Sequence, residues 1–269
     1  MNHLFRELAP ISAAGWAAIE EESTTTLRTY LAGRKLVDFS GPHGWEESAI
    51  DLGRVDSIKA PGANVGAALR KVQPLVELRT DFTVSRSELD AIERGSKSPD
   101  LDSVRDAAVR LAEAEDKALF HGYPAAGIEG LSEASTHDAL AIPEDYADYP
   151  RPVAQAVARL RAAGVDGPYA IALGPRCYTG VVETTDGGYP ILNHLRMILD
   201  GPIIWAPAVD GAIVLSIRGG DFELTSGQDV SIGFASHDAG GVSLYLQESF
   251  TFRVHTPEAA VALVYSKKK

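Results

Sequence analysis

The fold of this chain is decided by residues 242–254, which read VSLYLQESFTFRV. One set of alternate positions is almost entirely apolar: Val242, Leu244, Leu246, Glu248, Phe250, Phe252 and Val254. The positions between them are mostly polar: Ser243, Tyr245, Gln247, Ser249, Thr251 and Arg253. Alternation with a period of two predicts a β-strand with one buried and one wetter face. At about 3.3 Å per residue this strand would be roughly 40 Å long, well beyond the usual length, which favours a role in a larger assembly.

Composition narrows the class of protein. The chain has 269 residues, of which 45% are hydrophobic and 23% charged, and its formal net charge is -12. An acidic balance argues against nucleic acid as a partner, because phosphate contacts need clustered Lys and Arg. The single cysteine, Cys177, cannot form an internal disulfide and fits a reducing, cytoplasmic location. No apolar run predicts a secretion signal or a membrane span, and Lys267 to Lys269 are interpreted as a solvated tail.

The segment 50–74 differs from its surroundings. Two alternating pieces, around residues 52–55 and 69–72, flank the turn-rich sequence Ala60-Pro61-Gly62-Ala63-Asn64. A segment of this length without its own core is unusual inside a compact domain. We therefore predict a projecting hairpin that pairs with a neighbouring subunit, where strand addition satisfies its backbone groups. This is a second indication of assembly.

Two helices and a strand are well marked in the first half of the chain. Ser12 can cap a helix that ends near Gly33. Alternation predicts a strand over residues 76–84, and a helical pattern covers residues 101–120. In the second half, the acidic, proline-bracketed segment 143–150 suggests a linker into a middle domain.

The middle of the chain contains further short elements. A glycine-rich loop spans residues 183–190, and a buried strand is predicted over 169–173. Residues 203–205 and 212–217 are predicted to pair as a β-hairpin across the turn at Asp210-Gly211.

Motifs for catalysis are missing from the sequence. The 7 histidines are dispersed, without the spacing of a local metal site. There is no phosphate-binding loop, no dinucleotide glycine fingerprint and no G-x-S-x-G nucleophile motif. Cys177 lies beside Arg176, but a structural cysteine is favoured over a reactive one. These observations favour a structural protein over an enzyme.

Several motifs, in order along nearly the whole chain, resemble those of encapsulin shell proteins, and most closely the actinobacterial branch of classical encapsulins. They are Asn2 to Pro10 with Trp16, Gly33-Arg34-Lys35-Leu36-Val37-Asp38, Gly41-Pro42-His43-Gly44-Trp45, Leu89-Asp90-Ala91-Ile92-Glu93-Arg94-Gly95, Gly164-Val165-Asp166-Gly167-Pro168-Tyr169, Gly219-Gly220-Asp221-Phe222, Gly227-Gln228-Asp229-Val230-Ser231-Ile232-Gly233 and Gln247-Glu248-Ser249-Phe250-Thr251-Phe252.

The resemblance implies an α+β fold of the tailed-phage major-capsid (Hong Kong 97) type. Subunits of this family close into an icosahedral shell, with about 60 copies expected here. The implied parts are the N-terminal helix and start of the peripheral domain (1–49), the extended loop (50–74), the peripheral domain with its spine helix (75–129), the axial domain (130–218), the peripheral sheet (219–256), and a return toward the axial domain with the C-terminal tail (257–269).

The resemblance also implies a site for cargo. Members of the family enclose enzymes that carry a short C-terminal targeting peptide, here a dye-decolourising peroxidase or a ferritin-like protein. By the same resemblance Arg34 and Asp38 would supply polar contacts to that peptide. Val37, Val230 and Ile232 would form apolar pockets, although these three residues could equally be core.

Two further expectations follow from the family. The loop containing Glu183, Asp186, Gly187, Gly188 and Tyr189 is expected at a fivefold pore, and the alternative is a solvated turn. Some relatives bind a flavin beside a tryptophan, but this chain has Ser87 at that place. We therefore expect no flavin, no metal, no nucleic acid, no membrane partner and no catalysis by the shell itself.

Two other functions stay open on the sequence alone. One is a hydrolase or peptidase whose catalytic residues are distant in sequence. The other is a prophage major capsid protein, against which the net charge of -12 counts, because a DNA container usually avoids a strongly acidic wall.

Overall fold

The computed structural model describes residues 3–266. Within this range the α-helices are α1 (Ala13–Tyr30), α2 (Arg86–Glu93), α3 (Asp102–His121), α4 (Leu131–Ala134), α5 (Pro150–Ala162), α6 (Pro175–Glu183) and α7 (Ile191–Ile198). The strands are β1 (Asp38–Ser40), β2 (Ala49–Ile58), β3 (Ala67–Pro74), β4 (Val76–Ser85), β5 (Leu140–Ile142), β6 (Tyr169–Leu173), β7 (Thr185–Asp186), β8 (Tyr189–Pro190), β9 (Ile203–Trp205), β10 (Ala212–Ser216), β11 (Phe222–Ser226), β12 (Ser231–His237), β13 (Gly241–Val254) and β14 (Ala260–Tyr265). The predicted tail Lys267 to Lys269 lies outside the described residues.

Strand β13 organises the first sheet. One of its edges pairs with β4, from Gly241 opposite Ser85 to Phe250 opposite Val76. Its other edge pairs first with β12 and then, from Phe250 onward, with β11, which in turn carries β1. A strand of 14 residues is needed because two shorter strands follow one another along the same edge. The predicted long strand is therefore confirmed.

The predicted wetter face of this strand is wrong, because Tyr245, Gln247, Ser249 and Thr251 are buried as deeply as their apolar neighbours. The guanidinium of Arg79 lies 3.6 Å from the centre of the Tyr245 ring. The Gln73 amide donates to Thr251 (2.9 Å), and the Ser249 hydroxyl accepts from the backbone of Gln228 (2.9 Å). Side chains of β3 and β4 and the turn before β12 thus cover a face that alternation alone assigned to solvent.

Helices α1 and α3 cover the opposite face of the first sheet. The helices supply Ile19 from α1 and Val104 and Leu111 from α3. These side chains form one apolar cluster with Leu244 and Leu246 of β13. The predicted helices match these two elements, except that α1 ends at Tyr30 and a short 3-10 turn, Gly33–Lys35, follows it. The chain therefore changes direction between α1 and β1.

The second sheet has the order β5-β14-β10-β6-β9. Every residue of β6 and β10 is buried, as expected for central strands with both faces covered. The predicted hairpin between residues 203–205 and 212–217 is wrong, because β6 lies between β9 and β10 and pairs with both. A strand distant in sequence replaces the local partner that Asp210-Gly211 suggested.

The segment 143–150 does not link two domains. It connects β5, at the edge of the second sheet, to α5, which packs on the same sheet. Its last tyrosine, Tyr149, is fully buried. The prediction of a linker is wrong because the aromatic residues inside the acidic segment anchor it to the core. The boundaries of the domains stay a prediction.

Strands β2 and β3 form a two-stranded hairpin that joins neither sheet. Its exposed apolar side chains are Val55, Ile58, Val65, Leu69 and Val72, each with 49–60% of its surface exposed. The predicted hairpin is therefore confirmed. Its apolar residues have no partner in this subunit that removes them from water.

Candidate functional site: a groove along the first helix

A groove follows helix α1 and the turn after it. Its central depression has a volume of about 370 Å³ and is lined by Thr24, Leu27, Arg28, Leu31, Arg34, Lys35, Asp229 and Val230. A second depression of about 200 Å³ shares Thr24, Leu27 and Val230 with it and extends to Ile232. A third, of about 190 Å³, shares Lys35 and is bounded by Val37 and Asp38. The three depressions therefore adjoin one another, the third meeting the central one only at Lys35.

The five predicted cargo-binding residues all line this groove, but in different depressions. Arg34 and Val230 line the central one, Val230 and Ile232 the second, and Val37 and Asp38 the third. Ile232 is only 6% exposed and also belongs to the core, whereas Val37 and Val230 are half-buried. The structure brings the residues together along one surface, and their role in binding stays a prediction.

Arg34 is held by three carboxylates. Its Nε donates to both oxygens of Glu115 at 2.9 and 3.0 Å, and Nη2 donates to Glu115 (2.5 Å) and Glu248 (2.9 Å). Nη1 donates to Asp229 (2.6 Å). Since a guanidinium has five N–H groups, these contacts leave one hydrogen on Nη1 for a further acceptor. Arg34 is thus chiefly a structural residue at the base of the groove.

The partners of Arg34 are unusually buried for charged residues. The Glu115 and Glu248 side chains are 0% and 1% exposed, and Arg34 itself is 17% exposed. Burial alone would lower the pKa of Arg34, but hydrogen bonds and the negative charge of Glu115, followed by Glu248 and Asp229, raise it. Burial, together with the charge of Glu115, raises the pKa of Glu248 well above its usual range. The cluster therefore keeps Arg34 charged and favours a proton on Glu248.

Asp116 fixes the turn after α1. Its carboxylate accepts the backbone N–H groups of Ala32 (2.8 Å) and Gly33 (2.9 Å). Burial raises the pKa of Asp116 to about 7, although both N–H groups act in the opposite direction. Position 33 has to be glycine, because a methyl group there would lie 2.5 Å from Cδ2 of Leu119. This packing places Arg34 and Lys35 along the groove.

Asp38 is already engaged within the subunit. One of its carboxylate oxygens accepts the backbone N–H of Gly220 at 2.5 Å, which joins β1 to the turn before β11. The side chain is exposed, so its second oxygen is open to another donor. Asp38 can therefore orient a bound backbone while keeping its structural contact.

Sequence reasoning missed the carboxylates of this site. Glu115 and Asp116 lie on the inward side of α3, and Glu248 lies in the apolar set of β13. A charged residue at a position predicted to be core was the available signal, because such residues are almost never buried without a partner. The partner of all three, the segment around Arg34, is more than 80 residues away in sequence.

The predicted pore loop forms a minimal hairpin. Strands β7 and β8 pair across Gly187 and Gly188, whose φ angles are +55° and +87°. Glu183, Asp186 and Tyr189 are exposed, and the Tyr189 ring lies 4.8 Å from that of His194. The left-handed backbone explains the two glycines. Neither carboxylate forms an ion pair with another of the described residues, and the place of this loop at a pore stays a prediction.

Ser87, which stands at the place of the flavin-binding tryptophan of some relatives, is exposed, and its hydroxyl lies 2.9 Å from that of Ser85. The expectation that no flavin binds stays a prediction. No group of three or more His, Cys, Asp or Glu side chains among residues 3–266 could hold a metal ion. No helix within the described residues is long and apolar enough to span a membrane.

Comparison with known proteins assigns the chain to a family. The Linocin_M18 family model, described as "Encapsulating protein for peroxidase", matches residues 1–251. A type 1 encapsulin shell protein of Rhodospirillum rubrum is 54% identical, with 98% of this chain and 96% of the relative covered.

Solved structures agree on the fold. A virus-like particle from Pyrococcus furiosus superposes with a TM-score of 0.63 at 16% identity, covering 91% of this chain and 98% of the other. Gordonia phage Cozz gives a TM-score of 0.56 at 12% identity, covering 89% of this chain and 87% of the other. The chain therefore has the predicted capsid fold of the Hong Kong 97 type.

Proposed function

This chain belongs to the family of encapsulin shell proteins, and from that membership we propose that about 60 copies assemble into a closed icosahedral shell around cargo enzymes. The observation that supports this most directly is the hairpin β2–β3. It exposes Val55, Val65 and Leu69 to 59–60% although they are apolar. Pairing with a neighbouring copy would bury these side chains and satisfy the free edges of both strands.

The proposed closed assembly is tested by the size and shape of the particles that the chain forms. Size-exclusion chromatography and electron microscopy of the purified chain should show hollow spheres of megadalton mass. A small oligomer that turns over a substrate would support the hydrolase alternative, and particles filled with DNA would support a prophage capsid. Likeness to a phage capsid at 12% identity supports the fold alone, whereas the relative at 54% identity is a shell protein.

We propose that the shell itself catalyses no reaction. We also propose that it is located in the cytoplasm. Support for the first point is the absence of a metal-binding cluster among the described residues and of catalytic motifs in the sequence. The second rests on the lone cysteine, since secreted proteins commonly rely on disulfides. Cargo, either a peroxidase or a ferritin-like protein, would carry out the chemistry.

The groove along α1 is our candidate for the cargo's C-terminal peptide. Its walls combine apolar surface from Leu27, Leu31 and Val230 with positive charge from Arg28 and Lys35. A peptide with apolar anchors would lose water-exposed surface there, and polar groups at the rim would fix its direction. Arg34 offers only its one remaining N–H, so we assign it mainly to shaping the groove, with Asp38 as the more available polar contact.

This assignment is tested with α1 variants. Replacing Leu27 by Asn puts a polar group into both larger depressions, whereas Thr29→Asn changes an exposed position outside them. A reporter fused to the cargo peptide should load poorly into Leu27→Asn shells and normally into Thr29→Asn shells. Equal loading would remove the groove as the cargo site. Arg34→Ala is a poor test because it disturbs the buried carboxylates as well.

We also propose that the loop β7–β8 lines a pore at the fivefold axis. Symmetry would gather copies of Glu183 and Asp186 around one opening, and ringed carboxylates favour small cations over anions. Changing Glu183 to Gln and Asp186 to Asn should slow the entry of cations but not of neutral molecules into shells with the same cargo. Unchanged cation entry would show that this loop does not set selectivity.

A further inference from the structure

The single cysteine lies in a cluster of tyrosines remote from the groove. Cys177, on α6, is fully buried, and its Sγ is 3.0 Å from the hydroxyl of Tyr265 on β14. That hydroxyl is 3.0 Å from the hydroxyl of Tyr146, which donates to the carbonyl of Arg176 at 3.3 Å. Tyr146 and Tyr265 are half-exposed, so this chain of contacts leads from the surface to a buried thiol.

The direction of these hydrogen bonds is fixed by proton count. A carbonyl can only accept, so the single proton of Tyr146 is used on Arg176. Tyr265 must then donate to Tyr146, and the Cys177 thiol must donate to Tyr265. Each group in the chain therefore points its hydrogen outward, toward the next oxygen on the way to the surface.

Tyr149 lies at the buried side of the cluster. It is 0% exposed, and its hydroxyl forms no hydrogen bond with any of residues 3–266. Its ring is stacked on that of Tyr146, with centroids 5.6 Å apart. Tyr149 therefore packs against the cluster without joining its chain of hydrogen bonds.

The phenols of this cluster keep their protons at neutral pH. Burial raises the pKa of Tyr146 and of Tyr265, each above its ordinary value. A phenol that stays protonated loses an electron only together with its proton. Oxidation of these residues therefore amounts to the movement of hydrogen atoms along existing hydrogen bonds.

We propose that Tyr146, Tyr265 and Cys177 form a hydrogen-atom relay that carries a one-electron oxidation from the surface into the core. A one-electron oxidant takes an electron from Tyr146, whose proton goes to solvent, and leaves a phenoxyl radical. Tyr265 passes its hydrogen atom to Tyr146, and Cys177 passes its own to Tyr265. The unpaired electron then lies on the buried sulfur of Cys177.

Each internal step breaks one O–H or S–H bond and forms another, so only the position of the unpaired electron changes. A small thiol restores the resting state by giving one hydrogen atom to Tyr146 as the steps reverse. A phenoxyl radical at a surface tyrosine can couple with a second chain to form dityrosine, whereas a radical at the buried Cys177 is shielded. The relay would thus protect the protein from oxidative crosslinking, and it does not depend on the proposed shell function.

The test uses the full chain with photoexcited tris(bipyridyl)ruthenium and persulfate as the one-electron oxidant. Dityrosine peptides that contain Tyr146 are quantified by mass spectrometry. Cys177→Ser keeps a hydrogen-bonding side chain of similar size, but the stronger O–H bond of serine does not give a hydrogen atom to a phenoxyl radical. Tyr265→Phe interrupts the relay independently, and Tyr123→Phe removes a 39% exposed tyrosine outside the cluster as the control.

We expect several-fold more dityrosine at Tyr146 in Cys177→Ser and in Tyr265→Phe than in the parent, with Tyr123→Phe like the parent. Freeze-quench electron paramagnetic resonance should show a longer-lived tyrosyl signal at Tyr146 in the same two variants. Circular dichroism confirms that each variant is folded, and if one fails to fold, the other decides. Parent-like dityrosine yields in a folded Cys177→Ser or Tyr265→Phe protein would overturn the proposal.

Discussion

Strand β13 and the hairpin β2–β3 are both long stretches of β-structure with alternating side chains, but their surroundings differ completely. In β13 both faces are buried, whereas the hairpin leaves Val55 and Leu69 each 60% exposed. The difference does not come from the amino acids, since both contain β-branched and large apolar residues. It comes from what covers each element: loops and helices of the same chain in one case, and nothing within the subunit in the other.

This comparison predicts that the same kind of substitution destabilises the subunit strongly in β13 and only slightly in the hairpin. Phe252→Ala in β13 removes a ring that is 1% exposed and should lower the free energy of unfolding by about 3–5 kcal/mol. Chemical denaturation followed by circular dichroism measures the change. The control is Val55→Ala in the hairpin, which should alter subunit stability by less than about 0.5 kcal/mol. Equal losses in the two variants would mean that the hairpin is part of the subunit core.

Removing the cation from the buried charges that anchor β13 should lower the stability of the subunit slightly less than Phe252→Ala does. Arg34→Met leaves Glu115 and Glu248 without their cation and should cost about 3 kcal/mol, near the low end for broken buried ion pairs, because Arg34 is 17% exposed. Adding Glu115→Gln and Glu248→Gln to Arg34→Met should restore part of the stability. A single Arg34→Met variant as stable as the parent would show that the network contributes little.

Asp116 makes stability depend on pH. Its pKa is about 7 in the folded chain against an ordinary value of 3.8, so between these values the folded state holds a proton that the unfolded state has lost. Stability should therefore fall as pH rises from about 4 to 7 and then level off. Glu248, whose pKa is also raised, contributes with the same sign.

The variant Asp116→Asn isolates the contribution of this one residue. It loses one acceptor for the N–H groups of Ala32 and Gly33, so the slope of stability against pH is compared rather than its level. We expect a shallower slope than in the parent over the same window. An unchanged slope would mean that Asp116 stays ionised in the folded chain.

The smallest effect on subunit stability is expected in the hairpin itself. Leu69→Ser exchanges an exposed apolar residue for a polar one and should leave thermal unfolding of the subunit nearly unchanged. The same change should weaken assembly, since it removes apolar surface that a second copy would bury. A drop in subunit stability comparable to that of Phe252→Ala would contradict the comparison.

The sequence predicts the positions of helices and strands better than it predicts what covers their faces. Alternation located β13 and the strand before α2, and capping at Ser12 located α1, because these signals are local. Alternation did not show that Gln73, Arg79 and Gln228 cover the polar face of β13. The false hairpin at Asp210-Gly211 has the same origin, since β6, about 40 residues earlier, takes the position of the local partner.

The site was predictable only in outline. Resemblance to the family placed Arg34, Val37, Asp38, Val230 and Ile232, and all of them line one groove. The three carboxylates that hold Arg34 come from α3, β13 and the turn before β12. Such a convergence depends on how α1 packs on α3 and the sheet, which no local pattern in the sequence encodes.

The central claim is that the hairpin β2–β3 serves assembly rather than subunit folding. The most direct measurement replaces residues 57–69 by a short Gly-Ser linker and determines the mass of the product by native mass spectrometry, with circular dichroism as the check on folding. The account predicts a folded, soluble subunit that no longer forms the megadalton particle of the parent. Intact particles of parental mass, or an unfolded subunit, would contradict it.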